Sequence, residues 1–324
     1  MTQIKWLDLM LFGALLQVAV SSSGLGMAQE AQFSAMFVFG DSLIDPGNNN
    51  YLNSLAKANY VPYGVDFYQG PSGRFSNGRT IIDYLGDLME IPDLPAYTNP
   101  FATGKNILRG VNYASAAGGI LEETGQNLGE RFSLSDQVHN FENTLNQLKS
   151  QMINDQELSN YLAKALALHS LGLRKFFIGG IGPLGCIPNQ LAIGLAPPGK
   201  CVAFTNEVVG MFNMRLIPLV DQLNSNYNDS VFTYGNTFGA FYDILNNSKA
   251  YGFSVIDRGC CGVGRNQGQI TCLPFSVPCV NRNQYIFWDA FHPTQAVNQI
   301  LARRAYTGPT SDCYPVNVQQ MAQF

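Results

Sequence analysis

Three residues of this sequence have the types needed for nucleophilic catalysis: Ser42, Asp289 and His292. A serine hydroxyl is a weak nucleophile near neutral pH, so it needs a base to take its proton and a carboxylate to orient that base. Asp289 and His292 lie three residues apart just before a predicted helix, so one loop can supply both groups. The pattern predicts Ser-His-Asp chemistry, which needs no metal and no other cofactor.

Each of these residues also has an ordinary structural interpretation. Ser42 or the aspartate before it could cap the following helix, and Asp289 could be a helix-start residue beside a histidine. The other histidines are weaker candidates for the base, because His169 lies in the middle of an amphipathic segment and His139 has polar neighbours. His292 is therefore the best candidate by elimination.

A glycine-rich segment at 112–119 could stabilise the negative charge that develops during acyl transfer. It follows a predicted strand and ends in Gly118 and Gly119. Glycines let backbone N–H groups approach a ligand closely, and fixed N–H donors stabilise an oxyanion. A flexible turn is the alternative interpretation. The glycines at 194–200 and 262–264 do not complete a nucleotide-binding motif.

The elements around these residues alternate between strands and helices. Apolar runs predict buried strands at 34–39, 109–114, 175–181 and 230–234, and the first strand leads directly to Ser42. Helical spacing of apolar residues predicts helices at 79–89, 134–153, 159–171, 205–227, 240–246 and 294–306. This alternation predicts a mostly parallel sheet covered on both faces, a three-layer α/β/α fold with its site at the carboxyl ends of the strands.

Composition and charge indicate a globular chain that does not bind nucleic acid. The chain has 324 residues, of which 46% are hydrophobic and 13% are charged, and its net charge is -4. Phosphate binding needs a basic surface, which this composition does not provide. No repeat or low-complexity linker divides the sequence, so residues 29–324 are predicted to form a single domain. We also expect the chain to be a monomer.

The first 28 residues have the features of a secretory signal peptide. Lys5 precedes an apolar run at 9–20, and a small-x-small cleavage site ends at Ala28. An uncleaved anchor is the alternative, although the run is short for a bilayer span. Cleavage predicts a secreted mature chain without a transmembrane segment. Glycosylation sequons at Asn228 and Asn246 are consistent with that prediction.

The cysteines predict disulfide bonds rather than a metal site. There are seven of them, at positions 186, 201, 260, 261, 272, 279 and 313. In an oxidising compartment most would pair, and the odd number leaves at least one without a partner in the chain. The adjacent Cys260 and Cys261 are expected to bond elsewhere rather than to each other. Zinc is not expected, because the chain has no Cys-x-x-Cys pair and its histidines are scattered.

The sequence resembles the plant GDSL esterase/lipases, a branch of the SGNH hydrolases. The segments that carry the resemblance run nearly end to end: 37–50 (FVFGDSLIDPGNNN), 72–79 (SGRFSNGR), 110–115 (GVNYAS) with Gly119, 181–188 (IGPLGCIP), 260–262 (CCG) and 287–293 (FWDAFHP). The resemblance implies a flavodoxin-like SGNH hydrolase fold. It also implies a secreted esterase or lipase acting on acyl lipids or related esters.

The resemblance further implies a role for each candidate site residue. Ser42 would be the nucleophile, His292 the base and Asp289 the residue that orients the base. The oxyanion would be bound by the backbone N–H groups of Ser42 and Gly119, with Gly118 as the alternative glycine.

One block of the family is missing from this sequence. Family members carry a third motif, Gly-x-Asn-Asp, whose asparagine is a further oxyanion donor, and no such motif follows a strand here. We expect about thirty residues or more, one strand and one helix, to be absent between Lys164 and Ala165. The strands beside an absent central strand would have to pair with each other or leave backbone groups unpaired.

The missing block predicts a weaker enzyme. Loss of one oxyanion donor typically lowers turnover by about a hundred- to a thousandfold. We therefore expect weak or no activity and lower stability than in a complete family member. The alternatives to an active esterase are a secreted, non-enzymatic binding protein and a chain that does not fold.

Overall fold

The computed structural model describes residues 17–18, 33–152, 154, 156–158, 162, 171, 173–194, 196–197 and 199–324. The predicted helix at 159–171 and the junction between Lys164 and Ala165 lie mostly outside these residues. The predicted leader at 1–28 also lies outside them, except for residues 17–18.

Strands and helices alternate along the described chain, as the sequence predicts. The strands are β1 (Gln17–Val18), β2 (Met36–Phe39), β3 (Gly110–Asn112), β4 (Lys175–Gly179), β5 (Val231–Gly235), β6 (Val255–Gly259), β7 (Tyr285–Phe287) and β8 (Cys313–Tyr314). The α-helices are α1 (Ile81–Leu88), α2 (Leu134–Gln151), α3 (Pro188–Ala192), α4 (Ala203–Asn226), α5 (Thr237–Asn246), α6 (Gln295–Thr307) and α7 (Val318–Met321).

The main sheet has the strand order β3-β2-β1-β4-β5-β8. The pairs β2–β3 and β4–β5 are parallel, whereas β8 is antiparallel to β5. Strands β6 and β7 form a separate parallel pair. The α/β fold class predicted from the alternation of elements is therefore confirmed.

Strand β2 lies in the core with helices on both of its faces. All four of its side chains are 0% exposed, as expected of a continuous apolar strand in a covered sheet. On one face, Phe37 and Phe39 pack against Phe141 of α2, with ring centroids 5.0 and 5.8 Å apart. On the other face, a Cβ at Gly86 of α1 would lie 3.7 Å from Cε of Met36. The strand that leads to Ser42 is thus fixed between two helical layers.

The strand position between β2 and β4 is filled by β1. Gln17 is the register partner of Phe39 on one side and of Ile178 on the other, and β1 is antiparallel to both neighbours. We expected the strands beside a missing strand to pair with each other or to leave backbone groups unpaired. They do not pair with each other in this structure, because Gln17 and Val18 lie between them. These two residues pair only with residues 38–39 of β2 and 177–178 of β4.

Side-chain caps determine where two of the helices begin. Helix α1 begins at Ile81 because the side chains of Thr80 and Asp83 form a reciprocal capping box. Helix α5 begins at Thr237, three residues before the predicted start, because Asn236 caps it by accepting a hydrogen bond from the N–H of Gly239.

Three disulfides form, and one cysteine remains free. The pairs are Cys186–Cys201, Cys260–Cys279 and Cys261–Cys272, and the free cysteine is the buried Cys313. Cys260 and Cys261 therefore bond elsewhere rather than to each other, which confirms that prediction. Burial raises the pKa of the Cys313 thiol to about 12.

Within the described ranges, no helix combines the length and apolarity needed to cross a membrane. No group of three or more His, Cys, Asp or Glu side chains in the same ranges is placed to hold a metal ion.

Candidate active site

The structure brings Ser42, His292 and Asp289 into one hydrogen-bonded row. Ser42 lies in the turn after β2, and the other two residues lie between β7 and α6. Nε2 of His292 is 2.8 Å from Oγ of Ser42. Nδ1 of His292 is 2.9 Å from each carboxylate oxygen of Asp289. A histidine in this position can accept the serine proton while the aspartate holds its ring in one orientation.

The carboxylate of Asp289 is fully buried and well supplied with donors. Its Oδ1 accepts the backbone N–H groups of Phe291 and His292, each at 2.8 Å. Its Oδ2 accepts the hydroxyl of Tyr63 at 2.5 Å and that of Thr271 at 3.2 Å. Burial alone would raise the pKa of Asp289, but the charge of His292 and these hydrogen bonds outweigh it and lower the pKa. Asp289 is therefore ionised at neutral pH.

Sequence reasoning did not find Tyr63 or Thr271. Tyr63 is 1% exposed, and its ring packs edge-on against Trp288 and Phe75. It is 226 residues away from Asp289 in the sequence, so no local pattern connects the two. Tyr63 lies behind the aspartate, on the side away from Ser42 in the hydrogen-bonded row.

A buried glutamine on α2 fixes the end of the strand that carries Ser42. The side chain of Gln137 accepts the N–H of Gly40 at 2.8 Å and donates to the carbonyl of Gly40 at 2.9 Å. It also donates to the carbonyl of Phe132 at 3.0 Å. The carbonyl of Gly40 also accepts the N–H of Ser115 at 3.0 Å, so both backbone groups of Gly40, two residues before Ser42, are hydrogen-bonded.

A buried polar network ties the loop after β2 to the glycine-rich segment. Oδ2 of Asp45 accepts the N–H of Ala116 at 2.9 Å. Asn48 and Asn49 donate their side-chain amides to the carbonyls of Ala114 and Ala116, at 2.8 and 2.9 Å. Burial raises the pKa of Asp45 to about 6, although its backbone donors act in the opposite direction. The asparagines after Asp45 thus hold the loop after β2 and the glycine-rich segment together.

The backbone donors near Ser42 distinguish the two candidate glycines. The N–H of Gly118 donates to the carbonyl of Ser115 at 2.9 Å and is engaged in a turn. The N–H groups of Ser42 and Gly119 have no acceptor within the part of the chain that the structure describes. A Cβ at Gly119 would lie 2.5 Å from Cγ2 of Thr124, so this position accepts a side chain only if Thr124 shifts.

The remaining candidate residues lie apart from this row. His139 is on the exposed face of α2, where its Nδ1 is 3.3 Å from Glu142. The sequon residues Asn228 and Asn246 are both exposed. His169 lies outside the described residues.

A serine, a histidine and an aspartate in one hydrogen-bonded row on an α/β fold are typical of the serine hydrolase class of protein. Comparison with known proteins narrows the class. Residues 36–155 and 139–305 match the family model of the GDSL-like Lipase/Acylhydrolase. The chain is similar to GDSL esterase/lipase At1g71250 of Arabidopsis thaliana, with 52% identity over 336 residues and 90% of each chain covered.

Two further relatives come from the same plant. GDSL esterase/lipase At5g08460 is 52% identical, over 90% of this chain and 88% of its own length. GDSL esterase/lipase At1g71691 is 45% identical, over 89% of this chain and 85% of its own length. The chain belongs to the GDSL esterase/lipase family, and it is a carboxylic-ester hydrolase by class.

Proposed function

We propose that this protein is a secreted serine esterase or lipase that hydrolyses acyl lipids or related esters through an acyl-serine intermediate. The observation that carries the proposal is the row formed by Ser42, His292 and Asp289 in a chain of the ester-hydrolase family. The substrate is a small-molecule or lipid ester, and no cofactor takes part in the proposed steps.

In the first step, Oγ of Ser42 attacks the ester carbonyl while Nε2 of His292 takes the hydroxyl proton. The N–H groups of Ser42 and Gly119 stabilise the resulting oxyanion. His292 then gives its proton to the departing alcohol, and the acyl group remains on Ser42. Water then attacks the acyl-serine while His292 takes its proton, and His292 returns that proton to Oγ of Ser42 as the bond to the acyl group breaks and the carboxylic acid departs. The ionised Asp289 stabilises the protonated imidazole in both steps.

Several features support secretion through a leader at 1–28. Three disulfides fit an oxidising compartment. The sequon residues Asn228 and Asn246 are exposed, as attachment of a glycan requires. One observation opposes cleavage after Ala28, because it would take β1 out of the sheet and leave β2 and β4 without backbone partners on one side. N-terminal sequencing of the exported protein tests this proposal, and we expect the mature chain to begin at Gln29.

Alignment lengths support the absence of the third block. The alignment to At1g71250 spans 336 residues, but 90% of this 324-residue chain is about 292 residues, so about 44 positions have no residue from this chain. For At5g08460 the alignment spans 340 residues, which leaves about 48 such positions. These numbers fit the loss of one strand and one helix. The match to the family model also falls into two stretches rather than one.

We therefore propose that this enzyme lacks the asparagine donor and turns over slowly. The test compares hydrolysis of p-nitrophenyl butyrate by the purified full chain, by its Ser42→Ala variant and by At1g71250. We expect slow turnover that depends on Ser42, about a hundred- to a thousandfold below the relative. Turnover equal to that of the relative would contradict the missing donor. Turnover unchanged by Ser42→Ala would contradict the mechanism, and no turnover at all would favour the non-enzymatic binding protein.

A further inference from the structure

An apolar cleft adjoins the Ser42–His292 pair. One wall is formed by Leu43 and Ile44, which follow the serine, and another by Phe291 and Pro293, which flank the histidine. The rest of the lining comes from the segment after β4, from the end of β7 and from the helices α1, α5 and α6, including Ile181, Leu184, Phe241 and Leu301. The immediate sequence neighbours of Ser42 and His292 therefore line the cleft, which continues between the sheet and three helices.

The lining of this cleft offers almost nothing polar to a ligand. Among the described residues, Thr237 and Asn298 are its only polar side chains, and none of its side chains is charged. Asn298 is 3% exposed, and one N–H of its side-chain amide donates to the carbonyl of Arg79 at 2.9 Å. A hydroxyl-rich alcohol or a charged group would lose its hydrogen bonds with water here without replacement.

We propose that the cleft binds the acyl chain of the ester and gives the enzyme a preference for unbranched acyl groups longer than butyryl. This inference rests on the proposed function, because the cleft meets the ester only if Ser42 attacks it. The acyl half stays on Ser42 through the intermediate, next to the wall formed by Leu43 and Ile44. The alcohol half must leave and be replaced by water at His292, which needs a wet opening rather than an apolar cleft.

Burial of the chain sets the size of the expected preference. Each methylene moved from water into an apolar site favours binding by about fourfold. We therefore expect kcat/KM to rise by about fourfold for each methylene added to the acyl chain, until the cleft is full. Methylenes added to the alcohol half are expected to have little effect on kcat/KM.

Gly182 allows the cleft to be narrowed with little disturbance elsewhere. It lines the cleft, and a Cβ there would meet only Cγ2 of Thr237 at 3.9 Å, which is an ordinary contact. Gly182→Leu therefore adds an isobutyl group at the cleft wall, and Gly182→Ala adds a single methyl group. Gly210 in α4 has no atom within 4 Å of its Cβ position, so Gly210→Leu adds the same group away from the cleft.

Two isomeric esters test the proposal, because ethyl octanoate and octyl acetate have the same atoms but carry the long chain on opposite sides. The full chain is assayed for kcat/KM on both, and circular dichroism checks that each variant is folded. We expect the wild type to prefer ethyl octanoate. We expect the ratio of the two kcat/KM values to fall by about tenfold or more in Gly182→Leu, since two or more methylenes lose their site. Gly182→Ala should lower the ratio less, and Gly210→Leu should not change it.

Two results would overturn the inference alone. One is an unchanged ratio in folded Gly182→Leu and Gly182→Ala, and the other is a selective loss of octyl acetate hydrolysis, which would place the alcohol in the cleft. In both cases hydrolysis that depends on Ser42 would leave the proposed function standing. Absence of such hydrolysis on both esters would overturn the proposed function and the inference together.

Discussion

Replacing Tyr63 by phenylalanine removes one hydroxyl group from behind the hydrogen-bonded row of Ser42, His292 and Asp289. In the native protein this hydroxyl donates to Oδ2 of Asp289 at 2.5 Å. The ring of Tyr63 is buried against Trp288 and Phe75, so phenylalanine keeps the packing and loses only the hydrogen bond. After the substitution, the donors that remain to Asp289 are Thr271, His292 and two backbone N–H groups.

The expected magnitudes follow from the loss of one bond to a buried charge. Such a bond contributes about 1.5–3 kcal/mol to stability. We therefore expect the free energy of unfolding at pH 7 to be lower in the variant by that amount. Because the other donors still orient Asp289, the loss in transition-state stabilisation should be smaller. About 1 kcal/mol corresponds to a decrease of about fivefold in kcat/KM.

The stability difference and the kcat/KM profile should each depend on pH in a definite direction. The folded-state pKa of Asp289 is lowered, so its contribution to stability is present above its unfolded pKa and is lost as pH falls through the folded value. The stability difference between the two proteins should therefore be full at pH 7 and shrink below about pH 4. In the variant, Asp289 keeps more of its negative charge and stabilises protonated His292. The acid limb of the kcat/KM profile should thus move to higher pH.

Tyr60→Phe is the matched control for this experiment. The ring of Tyr60 lies 5.3 Å from that of Tyr63, but its hydroxyl donates to the carbonyl of Cys272 at 2.9 Å. The assay is kcat/KM for p-nitrophenyl butyrate between pH 5 and pH 9, together with urea unfolding. The reasoning is refuted if folded Tyr63→Phe keeps the wild-type profile, or if both variants move the acid limb equally.

Three further predictions concern the surroundings of Ser42 and the free cysteine. Gly119→Ala should lower kcat by about tenfold or more, because its Cβ would press on Thr124 and displace the N–H donor, and steady-state kinetics measure this. Gln137→Leu leaves the buried N–H of Gly40 without its acceptor, whereas the carbonyl of Gly40 keeps the N–H of Ser115, so urea unfolding should show a loss of about 1–3 kcal/mol. Cys313 should not react with iodoacetamide in the native protein at pH 8, because it is buried with a pKa of about 12, and mass spectrometry of the alkylated protein checks this.

The residues of the row could be predicted because each lies in a short pattern with local meaning. An apolar strand that runs into Ser42 places that serine at the carboxyl end of a strand in any parallel sheet. Asp289 and His292 are three residues apart, so their contact is also local. Helix α2 begins where predicted, and its first turn carries a capping box between Ser133 and Asp136.

The residues that support the row could not be predicted because their contacts are distant in sequence. Gln137 is 97 residues from Gly40, and no periodicity marks it as a partner of that backbone. Asp45 and the asparagines after it match a common turn pattern, and only tertiary structure shows that they hold a second loop. The antiparallel strand at Gln17–Val18 lies in a run whose composition is typical of a leader, so composition favours a different interpretation.

The most direct test of the central claim is covalent labelling of the purified full chain with a fluorophosphonate probe, followed by peptide mapping. Such a probe reacts with a serine that a base has activated. Labelling is a single covalent step, so it can be detected even if the missing asparagine makes turnover slow. We predict a single labelled site at Ser42, with labelling abolished by Ser42→Ala and strongly reduced by His292→Ala. A folded protein that remains unlabelled, or that is labelled on another serine, would contradict the account.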